Sequence, residues 1–345
     1  MTPPPRPRPP GEARDPLGGL TLVRVLAALG IWARPGQPSD AGCARATCDP
    51  RALAAARAGD PPPAQARDAR SPGCDELLED VCARAQRAGH APATVTFLRD
   101  AWAALGPDAR LRVAAPLASD APTWRGRPAV QVDGTTCGAA VGAMLLAAGD
   151  PVVALALETG TVLGAGTVLE TGTALETGAA PAGVRSPAHA PALTAAAAGF
   201  DELQRHLLGA TSRRAVLGLL PWPRRFGTPP WGLAREARCA DVRYRHVVVD
   251  VGDRPRTDAL AAHIEASLRA GTPLPLFTGG ASRTGWSTAV PRHVVLLVDV
   301  EGTSWRVYEP SCGRVLTVDT GTWAVPERRD AWGRWSRPHW ILLPR

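Results

Sequence analysis

The chain has 345 residues, of which 45% are hydrophobic, and its formal net charge is +7. That length is enough for one large domain or two of ordinary size, and the apolar fraction is enough for a hydrophobic core. All 39 basic residues are arginine, and they are spread along the chain rather than gathered into a patch. A dispersed charge of this kind argues against nucleic-acid binding, which requires a basic surface patch.

No segment of the sequence is predicted to span a membrane. The most apolar N-terminal stretch, residues 17–32, is short for a transmembrane helix, and Arg24 within it would be costly in hydrocarbon. Arg24 also interrupts the apolar run that a signal peptide needs, and no small-residue cleavage site follows. We therefore expect an amphipathic or core helix there and a cytoplasmic protein, with secretion as the alternative that stays open.

The first third of the chain is predicted to be a disordered tail followed by a mainly helical region. Residues 1–15 are rich in proline and arginine, a composition that does not support a packed core. Residues 16–118 indicate short helices separated by Pro/Gly-rich joints, and residues 75–89 carry apolar side chains at helical spacing. This region carries no evident chemical group of its own. Its role stays open between a pro-region, a docking module and an inhibitor.

The cysteines do not indicate a metal site. Cys43, Cys48, Cys74 and Cys82 come closest to a cluster. The pairs are separated by four and by seven residues, and these spacings do not match those of paired zinc ligands. We therefore predict reduced, mostly structural thiols, with neither a metal nor a cofactor.

Residues 124–345 are predicted to form an α+β domain. The first expected helix runs from Cys137 to Gly149. Thr228 is expected to cap the second, and the third begins at Thr257 and runs to about residue 270. Strand-type runs follow the alternation of β-branched and aromatic residues. These expected strands are 242–251, 274–278, 293–300, 305–308, 314–318 and 339–343.

Four tandem hexads interrupt this domain at about residues 157–180. They are variants of the sequence Leu-Glu-Thr-Gly-Thr-Val. A β-helix needs several coils to bury a core, and four hexads are too few. The repeats are predicted to form a low-complexity surface loop without a catalytic role.

A nucleophile is predicted at Cys137. A turn at residues 133–134 leads to Thr135 and Thr136, which can cap the helix that Cys137 begins. The positive end of a helix favours the thiolate, which is the reactive form of cysteine. Gln131 precedes the cysteine by six residues. Its amide and the Cys137 N–H would supply two donors to an oxyanion.

A base and an acid are predicted on a hairpin further along the chain. His293 stands at the head of an apolar strand, and Glu309 ends the next one. A hairpin brings the head of one strand beside the tail of the other, so Glu309 can orient the imidazole. Asp299 and Glu301 lie towards the wrong end of the strand for this role.

These segments resemble the papain-like peptidases that cleave double-glycine leaders from bacteriocins, and their stand-alone relatives. The similarity rests on Gln131 six residues before Cys137-Gly138, on His293 opening a hydrophobic strand, and on Glu309-Pro310 one hairpin later. It covers roughly residues 124–318. It implies a papain-like fold in which the catalytic helix packs on an antiparallel sheet. It also implies Gln131 as oxyanion donor, Cys137 as nucleophile, His293 as base and Glu309 as the acid.

The sequence departs from that family in two respects. The acid position holds Glu309 where the family has aspartate, and 156 residues separate Cys137 from His293, a longer interval than the family leads us to expect. No transporter domain follows in this sequence, so coupled export is not expected.

Three functions remain open at this point. The first is a cysteine hydrolase, most simply a peptidase acting on a peptide or protein. The second is an acyl transferase of transglutaminase type on the same scaffold. The third is a non-catalytic relative that binds a peptide or a partner. The sequence leaves the substrate and the oligomeric state undetermined.

Overall fold

The structure, a computed structural model, describes residues 73–164, 167–169, 190–213, 215, 220–280 and 292–345. The predicted disordered tail, the apolar stretch 17–32 and most of the hexad region lie outside these ranges. The described part combines helices with one large antiparallel sheet, which confirms the α+β class.

Nine α-helices occur in the described part of the chain. They are α1 (Gly73–Arg87), α2 (Pro92–Ala104), α3 (Pro107–Ala114), α4 (Cys137–Gly149), α5 (Pro151–Thr159), α6 (Ala190–Ala198), α7 (Phe200–Ser212), α8 (Pro230–Glu236) and α9 (Arg254–Arg269). Short 3-10 turns cover Arg224–Phe226 and Asp330–Trp332.

The strands form a seven-stranded sheet and two short hairpins. They are β1 (Thr123–Trp124), β2 (Arg127–Pro128), β3 (Val162–Gly164), β4 (Thr167–Leu169), β5 (Arg238–Cys239), β6 (Val242–Val248), β7 (Leu274–Gly279), β8 (His293–Glu301), β9 (Ser304–Glu309), β10 (Arg314–Asp319) and β11 (Arg337–Pro344). The large sheet has the order β10-β9-β8-β7-β11-β6-β5, and every pairing in it is antiparallel.

Helix α4 lies at the centre of the fold. All of its residues except Ala148 are buried, as its nearly unbroken run of small and apolar side chains predicts. It packs against β8 on one side and α7 on another. At its end Asp150 begins α5: its carboxylate accepts hydrogen bonds from the N–H groups of Val152 and Val153 at 3.0 and 3.4 Å.

The N-terminal helices are joined to the rest of the fold by buried polar contacts. Arg84, only 6% exposed, donates to the carbonyl of Ala114 at 2.6 Å and to that of Ala148, on α4, at 2.9 Å. The His90 ring lies 2.8 Å from the same Asp150 carboxylate that begins α5. Helices α1 and α3 therefore pack onto α5, and α2 packs onto α1.

The start of the hexad region differs from the predicted surface loop. Leu157 belongs to α5 and is fully buried, because the apolar side of this helix continues to its end at Gly160. Strands β3 and β4 then pair as a short hairpin. The loop prediction is therefore wrong for these residues, and the remaining hexads lie outside the described chain.

Within the described residues, no single helix is long and apolar enough to cross a membrane. Helices α4 and α5 together have the required length and composition, but they meet at an angle of 112°.

Candidate functional site

Cys137 is the first residue of α4 and is 5% exposed. A tight turn sets it there: the Asp133 carboxylate accepts from the N–H and the hydroxyl of Thr135, both at 2.7 Å. The Thr136 hydroxyl donates to the Asp133 carbonyl at 3.0 Å and accepts from the Asp133 N–H at the same distance. The thiol therefore projects from the N-terminus of a buried helix.

The predicted capping of this helix by the threonines is wrong. Thr136 occupies the N-cap position, but its hydroxyl is used within the turn and makes no capping hydrogen bond. The first amides of a helix have no carbonyl partner inside it. The amides beside Cys137 thus keep their hydrogens for another acceptor.

Gly138 allows the cysteine end of α4 to approach the sheet. A Cβ atom at this position would lie 2.6 Å from Cβ of Thr228 and 3.2 Å from Cγ2 of Val294, on β8. Those distances are too short for a side chain. Because Gly138 has no side chain, Cys137 can lie close to His293, the residue that precedes Val294.

His293 and Glu309 meet as the hairpin predicts. His293 opens β8, Glu309 closes β9, and the register of the two strands brings their side chains together. Nε2 of the ring lies 2.5 Å from Oε1 of the carboxylate, and the two residues are 7% and 2% exposed. This contact occupies Nε2 and leaves Nδ1 as the ring nitrogen that can exchange a proton with Cys137.

The turn after β9 holds the Glu309 carboxylate. Oε1 also accepts from the Ser311 N–H at 3.0 Å, and Oε2 accepts from the Ser311 hydroxyl at 2.6 Å and from the Cys312 N–H at 3.0 Å. Burial raises the pKa of Glu309, but these bonds and the one to His293 outweigh burial and lower it to about 2. The carboxylate is therefore ionised and fixed in place.

The same balance operates on His293. Burial lowers the pKa of the ring, but hydrogen bonds to Cys137 and then to Glu309 outweigh burial and raise it to about 9. The ring is thus protonated at neutral pH. A protonated imidazole stabilises a thiolate beside it.

Gly333 packs against the imidazole. It follows the turn Asp330–Trp332 with φ +63°, and a Cβ atom on it would lie 2.6 Å from Nε2 of His293. The carbonyl of Trp332 accepts from the Thr278 hydroxyl at 3.0 Å, which ties this turn to β7. Sequence reasoning missed this contact, because forty residues separate the glycine from the histidine.

Gln131 lies near the triad, but its amide does not project freely. Its N–H donates to the Pro310 carbonyl at 2.8 Å, in the turn that follows Glu309. Its side-chain nitrogen donates to the Asp133 carbonyl at 2.7 Å. One of the two amide hydrogens is therefore engaged within the Cys137 loop.

Gln204, which sequence analysis did not single out, fixes the segment around Gln131. It is fully buried on α7, donates to the Val130 carbonyl at 2.9 Å and accepts from the Val132 N–H at 3.0 Å. The available signal was a glutamine in an amphipathic helix, because a buried amide requires hydrogen-bond partners elsewhere in the fold.

A cleft of about 230 Å³ lies beside Cys137 and His293. Phe277 and Trp335 contribute apolar surface to its wall. Residues from α1, α2 and α3 do not line it, so these helices do not obstruct the cysteine. That placement argues against an inhibitory role for the described part of the N-terminal region.

Thr228 also lines the cleft. The sequence predicted it as a helix cap, but α8 has Pro229 at its N-cap position and no side-chain capping bond. Thr228 is 6% exposed, and its hydroxyl is without a hydrogen-bond partner in the described structure. The cap prediction is wrong, and the hydroxyl instead faces the region next to Gly138.

The other described cysteines do not form a comparable arrangement. Cys239 is buried and interacts with the Tyr244 hydroxyl, while the pKa of His246 is lowered by burial and then by the nearby Arg345 charge. Cys312 is an exposed residue whose thiol is partly buried. This burial, followed by the contact with Glu309, raises its pKa to about 11. Within the described ranges no group of three metal-ligating side chains occurs.

Comparisons of this chain with protein-family models, with curated proteins and with solved structures gave no match. The triad geometry and the cleft therefore carry the functional argument alone.

Proposed function

We propose that this protein is a papain-like cysteine hydrolase, most simply a peptidase. One observation carries the proposal: Cys137, the first residue of a buried helix, lines the same cleft as His293, whose Nε2 lies 2.5 Å from the buried carboxylate of Glu309. A nucleophile, a base and a group that orients the base are the components of a hydrolytic triad. The antiparallel sheet behind the helix supports the papain-like assignment.

The imidazolium and the thiolate form the resting ion pair. The Cys137 sulfur attacks the substrate carbonyl carbon, an S–C bond forms, and the carbonyl electron pair moves to oxygen. The Cys137 N–H, as a free helix-terminal amide, donates to that oxyanion. As the oxyanion collapses, the amide C–N bond breaks and the leaving amine takes the proton of His293.

Water completes the cycle. Neutral His293 takes a proton from water while the hydroxide adds to the thioester carbonyl. Collapse of this second oxyanion breaks the S–C bond, releases the carboxylic acid and restores the thiolate and the imidazolium. Glu309 keeps its charge throughout and holds the ring by Nε2.

Gln131 is the proposed second oxyanion donor. An amide NH₂ carries two hydrogens, and its bond to Asp133 uses one of them. The second hydrogen serves the oxyanion in this proposal. A Gln131→Ala variant, which removes both amide hydrogens without adding a charge, should lower kcat while leaving Cys137 alkylation intact.

Covalent labelling tests the proposal directly. An epoxide of the cysteine-protease class should label Cys137 in the purified protein, and the Cys137→Ala variant should remain unlabelled. Cys312 supplies an internal control, because it is exposed but its pKa is raised to about 11. If exposure alone governed reactivity, Cys312 would react first, and the proposed activation of Cys137 would be rejected.

Iodoacetamide separates catalysis from binding. Fast alkylation of Cys137 under mildly acidic conditions, lost in His293→Ala, supports a catalytic ion pair. A rate no higher than that of a model thiol would support a non-catalytic peptide-binding protein instead. Adding an amine acceptor and following the product mass then distinguishes a transferase from a hydrolase.

A further inference from the structure

Two arginines line the cleft beside Cys137. Arg225 belongs to the 3-10 turn Arg224–Phe226, and Arg292 directly precedes His293. Both are exposed. Among the described residues, neither guanidinium forms an ion pair with a carboxylate.

Many other arginines of the described chain are paired. Arg99 contacts Glu79 at 2.8 Å, and Arg112 contacts Glu158 at 2.6 Å. The two cleft arginines have no such carboxylate among the described residues, and they lie beside Cys137 and His293.

Arg225 is held with its nitrogens free. Its guanidinium carbon lies 4.8 Å from the centre of the Phe226 ring. An arginine stacked on an aromatic face keeps its planar N–H groups available for a carboxylate. The stacking also restrains the side chain, which lowers the entropy lost when an anion binds.

The described residues that line the cleft include no aspartate or glutamate. Asp133 adjoins the lining residue Gly134, but its carboxylate turns back to Thr135. Glu309 is buried behind His293 and is paired with that protonated ring. Apart from the proposed ion pair of Cys137 and His293, the charged side chains that line the cleft among the described residues are therefore these two arginines.

We propose that the cleft binds a carboxylate of the substrate: a peptide with an aspartate or glutamate side chain, or a free terminal carboxylate, close to the scissile bond. Arg225 and Arg292 are the residues that recognise it. Carboxylates accept paired hydrogen bonds from guanidinium groups, and this geometry gives specificity as well as attraction. This substrate class rests on the proposed hydrolase function, but its first test does not require hydrolysis.

The first test compares two alkylating agents at Cys137, anionic iodoacetate and neutral iodoacetamide. Arg225→Gln and Arg292→Gln should each lower the ratio of the iodoacetate rate to the iodoacetamide rate by about threefold, and the double variant by about tenfold, as expected for unit charges several ångströms away in a solvated site. Added salt should shrink the wild-type ratio. Arg254→Gln, on α9 with a side chain 90% exposed, is the matched control and should leave the ratio unchanged.

The second test uses peptide substrates with amidated C-termini that differ only by Glu or Gln beside the cleaved bond. The wild type should have a kcat/KM about tenfold higher for the Glu peptide, and the Arg225→Gln/Arg292→Gln double variant should lose this preference. A third peptide, with Gln and a free C-terminus, identifies recognition of a terminal carboxylate.

The outcomes separate the two proposals. A ratio of alkylation rates that does not change in the double variant overturns the carboxylate site, whether or not peptides are cleaved. A lowered ratio without cleavage of any peptide supports the anion site and overturns the hydrolase instead. Equal cleavage of all three peptides overturns the specificity while leaving the hydrolase in place.

Discussion

Replacing Glu309 with glutamine should weaken the proposed ion pair between Cys137 and His293 without removing the side chain that orients the ring. Glutamine has the size of glutamate and keeps one carbonyl oxygen for Nε2, but it carries no charge. The donors of Ser311 and Cys312 now face both carboxylate oxygens. In the variant, one of these donors faces an NH₂ group instead.

The size of the effect follows from the pKa of His293. Hydrogen bonds raise it from 6.5 to about 9. At about 1.4 kcal/mol per pKa unit, the protonated ring is stabilised by about 3 kcal/mol. A hydrogen bond to a charged group contributes about 1.5–3 kcal/mol and a neutral one about 0.5–1.5 kcal/mol, so loss of the Glu309 charge should cost about 1–2 kcal/mol.

The assay is the alkylation rate of Cys137 by iodoacetamide as a function of pH. In Glu309→Gln the rate at mildly acidic pH should fall about tenfold, because each pKa unit lost from the imidazolium is a factor of ten in the ion pair. Titration of His293 followed by NMR should show its pKa falling from about 9. Glu301→Gln, an exposed carboxylate on the same hairpin, is the control.

An unchanged profile in Glu309→Gln would refute the reasoning. It would mean that the carboxylate contributes geometry alone, or that the ring is not protonated beside the sulfur. A loss of tertiary structure in the variant is checked by near-UV circular dichroism. Should the fold be lost, Glu309→Asp retains the charge and should keep the acidic limb of the profile.

Three further outcomes follow from the packing and the charges. Gly138→Ala should destabilise the fold by about 1–3 kcal/mol in chemical denaturation, since its Cβ would overlap the sheet, while Gly134→Ala should be neutral because nothing lies within 4 Å of that position. The raised pKa of His293 stabilises the fold below pH 6.5, and this contribution is lost as pH rises through about 9. The lowered pKa of Glu309 stabilises the fold above pH 4.5, and this contribution is lost as pH falls through about 2. The free energy of unfolding of the wild type, relative to Glu309→Gln, should therefore be greatest between those two ordinary values, and a pH-independent difference would contradict this. Arg84→Met should lower the unfolding free energy by about 2 kcal/mol or more, because two buried carbonyls lose their donors, and an unchanged denaturation midpoint would show that they find other partners.

The sequence predicted the local parts of the site well. The helix from Cys137 to Gly149 has the expected bounds, and the strands begin or end within a few residues of their predicted limits. The contact between His293 and Glu309 follows from hairpin geometry alone, because consecutive antiparallel strands place head beside tail. Such features depend on neighbours in the chain.

The missed parts depend on segments that are distant in the chain. Thr228 has the residue type of a helix cap, yet the chain enters α8 through Pro229 and leaves the hydroxyl buried next to Gly138. The contact of Gly333 with the imidazole needs the whole sheet in place. The Gln131 side chain carries an amide NH₂ group and an acceptor oxygen. Only the folded loop brings the Asp133 carbonyl within hydrogen-bond distance of this NH₂ group. No periodicity in the sequence carries that information.

The central position of β11 has a consequence for biosynthesis. This strand lies between β7 and β6, although it follows every other strand in chain order. The hairpin that carries His293 and Glu309 is a local structure that a nascent chain can form early, whereas pairing β11 requires contacts across most of the domain. A ribosome that has not yet released residues 337–344 therefore holds a split sheet with β6 and β7 unpaired along one edge. Release of residues 337–344 from the ribosome is the step that completes the sheet, and released chains should be less sensitive to protease than chains stalled with this segment still inside.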